Sequence, residues 1–320
     1  MGTEETNNTI EIVRQIYQDD YYKLKGHLNH SMLCIYQEDP VLFWDLWYGR
    51  KEPDPESAAM AFGKMVHSAI LTPEEFQNEY SLMEGSMPKS INMEKFCEAV
   101  IEGKTLTDAY MANYRVLPKD APAKAKELYN ELKGYIRCKQ EGKPPISEED
   151  MSRINTILTN YKDHQGVQEV INKGDNAMNE LEVRFQHDCG LPCKSKLDRI
   201  QWDMKEKRVW IIDLKTSSHN PTQFVREVER GMNSYLQQLA YYTMAMKETY
   251  HLYNDWIFEY YLIYIGSRTC NVYLVRVGEI LEDRIWKIDE DICAIHEKIE
   301  RGENQSRVER IGVDFETRGR

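Results

Sequence analysis

The stretch KSKLDRIQWDMKEKRVWIIDLKTSS, Lys194 to Ser218, decides how the rest of the chain is read. Residues 194–203 and 208–216 read as two antiparallel strands joined by MKEK. An even-length loop centred between Lys205 and Glu206 sets Asp203 opposite Arg208 and, counting back, Asp198 opposite Asp213. Directly opposed residues have Cβ atoms about 4.5–5.5 Å apart, and like charges there are destabilising. Lys215, two residues beyond Asp213, projects from the same face. The arrangement needs solvent to screen it or a cation to hold it. No Asn-Gly pair fixes the turn, and an odd loop would break the pairing.

Two converging carboxylates suit Mg²⁺ or Mn²⁺, hard cations that prefer oxygen ligands. Such an ion polarises a phosphoryl oxygen and lowers the pKa of a bound water, and a neighbouring lysine can orient that water or stabilise developing negative charge. The run Val209 to Ile212 is apolar, so the strand is expected to be buried, with Asp213 emerging at its end. The bland alternative is a surface hairpin with scattered charges. Asp-x-Lys alone is common by chance; its place after Asp198 and a buried strand gives it weight.

Outward from this hairpin, ELEVRFQHD, WIFEYYLIYI and CNVYLVRV are further short runs rich in β-branched and aromatic residues. A helical stretch from about Ser234 to Thr249 lies between the third and fourth strands. After the last strand, Leu281, Ile285, Ile288, Ile292, Ile295 and Ile299 alternate steps of four and three, with Gly302 as a stop; that face packs on the sheet or forms an oligomer seam. Upstream, residues 92 to 172 read as helical, with breaks near LPKDAP and EGKPP. Ser57 caps a helix whose apolar face is Phe62, Met65, Val66, Ala69 and Ile70. Thr72-Pro73-Glu74-Glu75 and SEED at Ser147 read as capping boxes. The order predicts one α/β domain with a helical N-terminal part. Its limits are an extension over 1–30, a domain over 31–302 (helical part about 57–172, sheet about 180–277, last helix 279–301) and a loose polar tail over 303–320.

Composition bounds the function. The 320 residues carry a formal net charge of −12, which argues against a nucleic-acid coat or a simple electrostatic clamp. Lys194, Lys196, Arg199, Lys205, Lys207, Arg208, Lys215, Arg226 and Arg230 nevertheless cluster around the hairpin, as a basic track or as a solvated charged face. No apolar run approaches the roughly 18 residues of a membrane span, and the polar start is no signal peptide, so no membrane role is expected. The seven cysteines are an odd, scattered count that predicts reduced thiols in a cytoplasmic setting. Cys189 and Cys193 lack a second Cys/His pair at zinc-finger spacing, so spacing gives no structural zinc. No Walker-type phosphate loop is present, so no ATPase motor is expected.

Taken together these motifs resemble the PD-(D/E)XK nucleases, and more narrowly the RecE-type exonucleases (exonuclease VIII) of phages and prophages. FGKMVHSAILTPEEF resembles the family's Gly-x-x-x-His helix followed by Leu-x-Pro-Glu-Glu-Phe. ISEEDMSRINTIL with ELEVRF resembles the helix and glutamate-bearing strand ahead of the core. GLPCKSKLDRI and WIIDLKTS resemble the two metal-binding strands, and QLAYY the Gln-x-x-x-Tyr helix. The matches run in order over about residues 57–245. Leu197-Asp198 stands for the Pro-Asp of the motif, and the second acid is Asp213 rather than Glu.

The resemblance implies a restriction-endonuclease-like core, a mixed central β-sheet flanked by helices. It implies Asp198 and Asp213 as ligands of Mg²⁺ or Mn²⁺ with the Leu214 carbonyl, and Lys215 as catalytic. His67 would be a further metal ligand; about 100° from Val66 on the helix wheel, it can border the core and still face a site. Glu182 would complete the acidic cluster directly or through water. Gln238 and Tyr242 would position Lys215, the water or the DNA end, with Gln237 and Tyr241 as the alternative register. The implied activity is 5′ to 3′ degradation of linear double-stranded DNA, leaving 3′ single strands for recombination. Its partners would be DNA ends, a single-strand annealing protein and further copies of the chain in a ring, in the cytoplasm of a bacterial host or from a prophage. The competing readings are a Cas4-like or RecB-like nuclease on single strands, the former needing four cysteines at one cluster, and an inactive scaffold that binds DNA or protein.

Overall fold

The computed structural model describes residues 12–18, 20–229, 235–253, 255–278 and 282–302. The tail from 303, the extension before residue 12, Arg230, Ser234 and Leu281 lie outside them. The described residues fall into two units, one within 12–57, 166–266 and 273–302, the other within 58–165 and 267–272. The first opens with α1 (His30–Glu38) and α2 (Pro40–Trp47). Asn29 caps α1 by accepting from the Met32 N–H at 2.8 Å, and Asp39 caps α2 from the Leu42 N–H at 3.0 Å, with Pro40 opening that helix.

The second unit carries α3 (Ala58–Leu71), α4 (Pro73–Glu79), β1 (Ser81–Met83), α5 (Ile91–Ile101), α6 (Leu106–Asn113), α7 (Ala121–Gln140), β2 (Pro145–Ser147) and α8 (Glu148–Asp163). Phe62, Met65, Val66 and Ala69 on α3 are buried, as their spacing requires. Phe96, Cys97, Ala99, Ala109, Leu132 and Ile136 form a core among α5, α6 and α7. Ser147 caps α8 from the Asp150 N–H at 3.0 Å, and Asp150 answers by accepting from the Ser147 hydroxyl at 2.9 Å. The capping box expected at Thr72 does not form. Thr72 caps without a side-chain bond, and its hydroxyl turns back toward the Ser68 carbonyl at 3.4 Å. The backward bond serves a C-terminal carbonyl of α3, so one threonine cannot also serve the start of α4.

The first unit resumes with α9 (Gln165–Ile171), β3 (Asn176–Gln186), β4 (Pro192–Asp203), β5 (Arg208–Ser217), α10 (Pro221–Glu229), α11 (Tyr235–Tyr250), β6 (Ile257–Gly266), β7 (Val272–Val277) and α12 (Glu282–Glu300). The strands make one five-stranded sheet in the order β3-β4-β5-β6-β7. β3, β4 and β5 pair antiparallel, and β5 pairs parallel with β6 after the helical crossover. The sheet is therefore mixed, and the fold is the α/β class expected. Val209 to Leu214 of β5 are buried without interruption, as a central strand covered on both faces demands. Ile288, Ile292 and Ile295 of α12 are fully buried in the main core, which α12 reaches beside α11. No helix among the described residues is long and apolar enough to cross a membrane.

One close approach in the second unit allows no side chain. A Cβ on Gly134 of α7 would stand 2.1 Å from the Glu84 carbonyl oxygen, just past β1. Arg137 and Cys138 of the same helix reach the carbonyls of Leu82 and Ser81 at 3.1 and 3.7 Å. Gly134→Ala must push α7 and this strand apart, and it is expected to destabilise the protein by about 1–3 kcal/mol. The midpoint of urea unfolding measures this, and an unmoved midpoint would contradict so tight a contact.

Candidate active site

The hairpin register is the one counted from the sequence: Asp203 pairs with Arg208, and the ladder runs back to Arg199 opposite Ile212. There it stops. The next two positions are Asp198 and Asp213, and Asp198 Oδ2 instead accepts from the Leu214 N–H at 2.7 Å. β4 and β5 diverge from this point. The edge of β4 that β5 leaves is taken by the N-terminal segment: Leu28 bridges Cys193, its N–H donating to the Pro192 carbonyl at 2.9 Å and its carbonyl accepting from Lys194 N–H at 2.8 Å. The Lys194 ammonium, buried, donates to the Tyr21 and Leu24 carbonyls at 2.6 and 2.8 Å. The result is a fork with carboxylates at its crotch.

Asp213 is 1% exposed, so it does not emerge at the end of a strand as expected. β5 continues to Ser217, and the carboxylate is enclosed because the fork, rather than the strand end, is the opening. Neither Asp213 oxygen accepts a well-directed hydrogen bond, although Lys215 Nζ lies 2.5 Å from Oδ2 as an ion pair. Burial alone would lower the Lys215 ammonium, but Asp213 and then Asp198 outweigh it and hold it above the ordinary lysine value of 10.5. A buried carboxylate with unfilled acceptor capacity is costly. Its donor set, hard oxygens with a second carboxylate nearby, fits a divalent cation.

β3 adds a third acid, and the neighbouring pairs identify it. Asn179 pairs with Arg199 and Leu181 with Leu197, which sets Glu180 opposite Asp198. Glu180 drops out of the ladder with a φ of 51°, and its carboxylate comes within 4.8 Å of that of Asp198. It also forms an ion pair with Lys196. Glu182, the glutamate expected in this place, is engaged by Arg184, whose Nη2 lies 2.7 Å from Oε1. Sequence reasoning passed over Glu180 because only a distorted backbone turns it toward Asp198. His67 belongs to the second unit, half-buried on α3 beside fully buried Val66.

On α11, the two Gln-x-x-x-Tyr registers part company. Gln238 Nε2 donates to the Tyr242 hydroxyl at 2.7 Å. Burial pushes that phenol well above its usual value, and Asp213 and Asp198 push it further, which places Tyr242 within the field of the acid pair. Gln237 and Tyr241 face away. Tyr241 donates to the Leu28 carbonyl at 2.8 Å, and Gln237 Nε2 to Gln37 at 3.1 Å. His30 on α1 is a neighbour that no motif flagged: burial, then the Lys215 charge, lower it to about 4, so it stays neutral.

The basic residues around the hairpin mostly serve the fold. Arg199 donates to Asn179 Oδ1 at 2.6 Å and to the Ile171 carbonyl at 2.8 Å; Arg208 pairs with Glu259, and Lys207 with Asp255. Lys205 and Arg226 are exposed. Neither a continuous basic track nor a merely solvated face describes this set.

A family model described as the PD-(D/E)XK nuclease superfamily matches residues 42–309. No curated protein matches the chain. Among solved structures, one described as "Putative exonuclease" from Eubacterium rectale is 13% identical, with 90% of this chain and 88% of that chain covered and a TM-score of 0.48.

The charge balance in the fork can be checked directly. Asp213→Asn removes the first of the two carboxylates that hold Lys215 charged, leaving burial opposed by Asp198 alone. The Lys215 titration, followed by ¹³Cε NMR, is expected to move down; an unmoved titration would mean that Asp213 is not its main partner. The sign for stability follows from the raised value. This ammonium contributes stability that is complete below the ordinary lysine pKa and is lost as pH rises through the folded one, so the contribution is constant near neutrality.

Proposed function

The chain belongs to the PD-(D/E)XK nuclease superfamily, and on that footing we propose that it is a metal-dependent exonuclease of the RecE type. It degrades linear double-stranded DNA from 5′ ends and leaves 3′ single strands for annealing and recombination. The observation that carries this reading is the fork, where Asp198, Asp213 and Lys215 lie together with Glu180 alongside.

Asp198, Asp213 and the Leu214 carbonyl are the proposed holders of Mg²⁺ or Mn²⁺. Glu180 is the better placed β3 acid, with Glu182 one pleat away, and His67 is the further ligand that the family resemblance implies. A bound ion supplies polarisation of a phosphoryl oxygen and a lowered pKa for attacking water. Lys215 is protonated at neutral pH, so it acts as a donor: it stabilises negative charge on the scissile phosphate or orients the water. Gln238 and Tyr242 position Lys215, the water or the DNA end. Tyr242 keeps its proton, because its phenol is raised by burial and by both aspartates. The single-strand annealing partner, a ring of copies and a prophage setting belong to the same proposal.

Linear duplex labelled separately at its 5′ and 3′ ends tests the reading, with Mg²⁺, with EDTA and against a closed circle. The expected result is early loss of 5′ label that requires Mg²⁺, with the circle spared. Asp213→Ala is expected to abolish digestion, and Lys215→Ala to slow it by about 10²–10³-fold. A cut circle would make the enzyme an endonuclease. Digestion confined to single strands would favour the Cas4-like or RecB-like alternative, and no cleavage with any divalent ion would leave a binding scaffold.

The two tyrosines of α11 should separate function from stability. Tyr242→Phe is expected to slow digestion with little change in unfolding. Tyr241→Phe, which removes one of the two donors to the Leu28 carbonyl and leaves it the Lys194 N–H, is expected to cost about 0.5–1.5 kcal/mol of stability. Paired activity assays and urea titrations of the two variants check this, and the reverse pattern would restore the Gln237/Tyr241 register.

A further inference from the structure

At the far end of the β3–β4 hairpin from the acids lies a second cluster of metal-binding side chains. The turn is His187-Asp188-Cys189-Gly190-Leu191, closed by the His187 N–H on the Leu191 carbonyl at 3.0 Å and the Gly190 N–H on the His187 carbonyl at 2.7 Å. Gly190 has a φ of 100°, a conformation that suits glycine and lets the turn fold back on itself. Across from it, α12 presents Asp289, Cys293 and His296, spaced four and three apart on one helix face. One ligand atom each from His187, Cys189 and Cys293 lies within 4.8 Å of the other two.

The imidazole is already set up as a ligand. His187 is 5% exposed, and its Nε2 lies 2.9 Å from Asp289 Oδ1. That contact holds the proton on Nε2 and leaves the lone pair on Nδ1, which faces the cysteines: Cys189 Sγ is 3.2 Å away. The Cys189 N–H makes a longer contact to the same nitrogen at 3.3 Å. A carboxylate behind a ligating histidine is the usual way its tautomer and orientation are fixed. In a tetrahedron with bonds of about 2.0–2.3 Å, ligand atoms stand about 3.3–3.8 Å apart; Nδ1 and Cys189 Sγ are 3.2 Å apart, and Cys293 Sγ lies within 4.8 Å of both. The His296 ring lies beside the same turn, 3.5 Å from where a Cβ on Gly190 would be.

We propose that His187 Nδ1, Cys189 Sγ and Cys293 Sγ bind one zinc ion that fastens the β3–β4 turn to α12, with water or the His296 imidazole beside the same turn completing the tetrahedron. Two thiols with imidazole nitrogen are a donor set for zinc, softer than the oxygen cluster in the fork and unlike a four-thiolate iron–sulfur site. Zinc binds the thiolate, so binding releases the protons the thiols carry, and affinity falls as pH falls. No spacing motif could show the site, because its third ligand comes from the last helix.

The test uses the full-length protein, purified with reductant and without chelator. One zinc per chain by elemental analysis is expected, retained in Asp213→Asn and lost in Cys189→Ser and Cys293→Ser. Replacement by Co²⁺ should give a thiolate-to-cobalt charge-transfer band, again unaffected by Asp213→Asn, and EDTA should lower the Tm together with the band. Because a cysteine variant could fail to fold, the cobalt spectrum of the unaltered chain decides independently. Reduced protein that takes up no zinc in excess metal and shows no thiolate band with Co²⁺ would overturn the proposal, leaving a thiol pair. Zinc lost from Asp213→Asn but kept by the two cysteine variants would overturn it too, by locating the metal in the fork.

Discussion

The Asp198 carboxylate bonded to the Leu214 N–H is the constraint from which the active region follows. It ends the β4–β5 ladder by occupying a backbone donor with a side chain, at the one place where two aspartates would otherwise face each other. The strands separate there, and the vacated edge is filled by a segment more than a hundred residues upstream in sequence, through Leu28 and Tyr241. Unpaired backbone in a sheet interior is costly, so the fork exists only because each group released by the divergence finds another partner. The repulsion that makes the register look implausible is thus relieved by geometry as well as by charge.

Within the fork, each group is assigned by what surrounds it. Asp213 is buried and relies on Lys215; Asp198 is half-exposed and tied to backbone; Glu180 is turned in by a left-handed residue and balanced by Lys196. His30 stays neutral behind the lysine, so the lysine is the cation facing Asp213. The aromatic wall of Phe224, Tyr235 and Tyr264, with rings 4.2 and 5.3 Å apart, flanks Lys215 and limits where its ammonium can go. A side chain so confined loses little further entropy on meeting an anion.

The parts of this arrangement that were legible from sequence are those encoded in short range. An even turn and a two-residue repeat suffice to oppose Asp198 and Asp213, and the apolar run before Asp213 suffices to bury its strand. Glu180 was not legible, because alternation favours Glu182 equally and only a positive φ breaks the tie. The choice between Gln238/Tyr242 and Gln237/Tyr241 depended on how α11 is rotated against the sheet, which local periodicity cannot fix on a helix buried nearly all round. Thr72 misled because its hydroxyl had two carbonyl-rich and amide-rich ends to choose between. Cys189 and Cys293 could not be associated at all before the packing of α12 was known.

The first unit is discontinuous in sequence: it leaves off at residue 57 and resumes at 166. The entropy of closing such an excursion grows only with the logarithm of its length, about 0.6 kcal/mol per doubling. An insertion there can therefore lengthen or shrink over evolutionary time at small equilibrium cost. The penalty falls on time instead, since contacts remote in sequence form slowly. Leu28 emerges from the ribosome long before Cys193 and α11, so the N-terminal segment must wait, unpartnered, until most of the chain has been made. The fork closes late, and a nascent chain interrupted before α11 has every acidic residue of the site but lacks Tyr241, which ties the Leu28 segment in place.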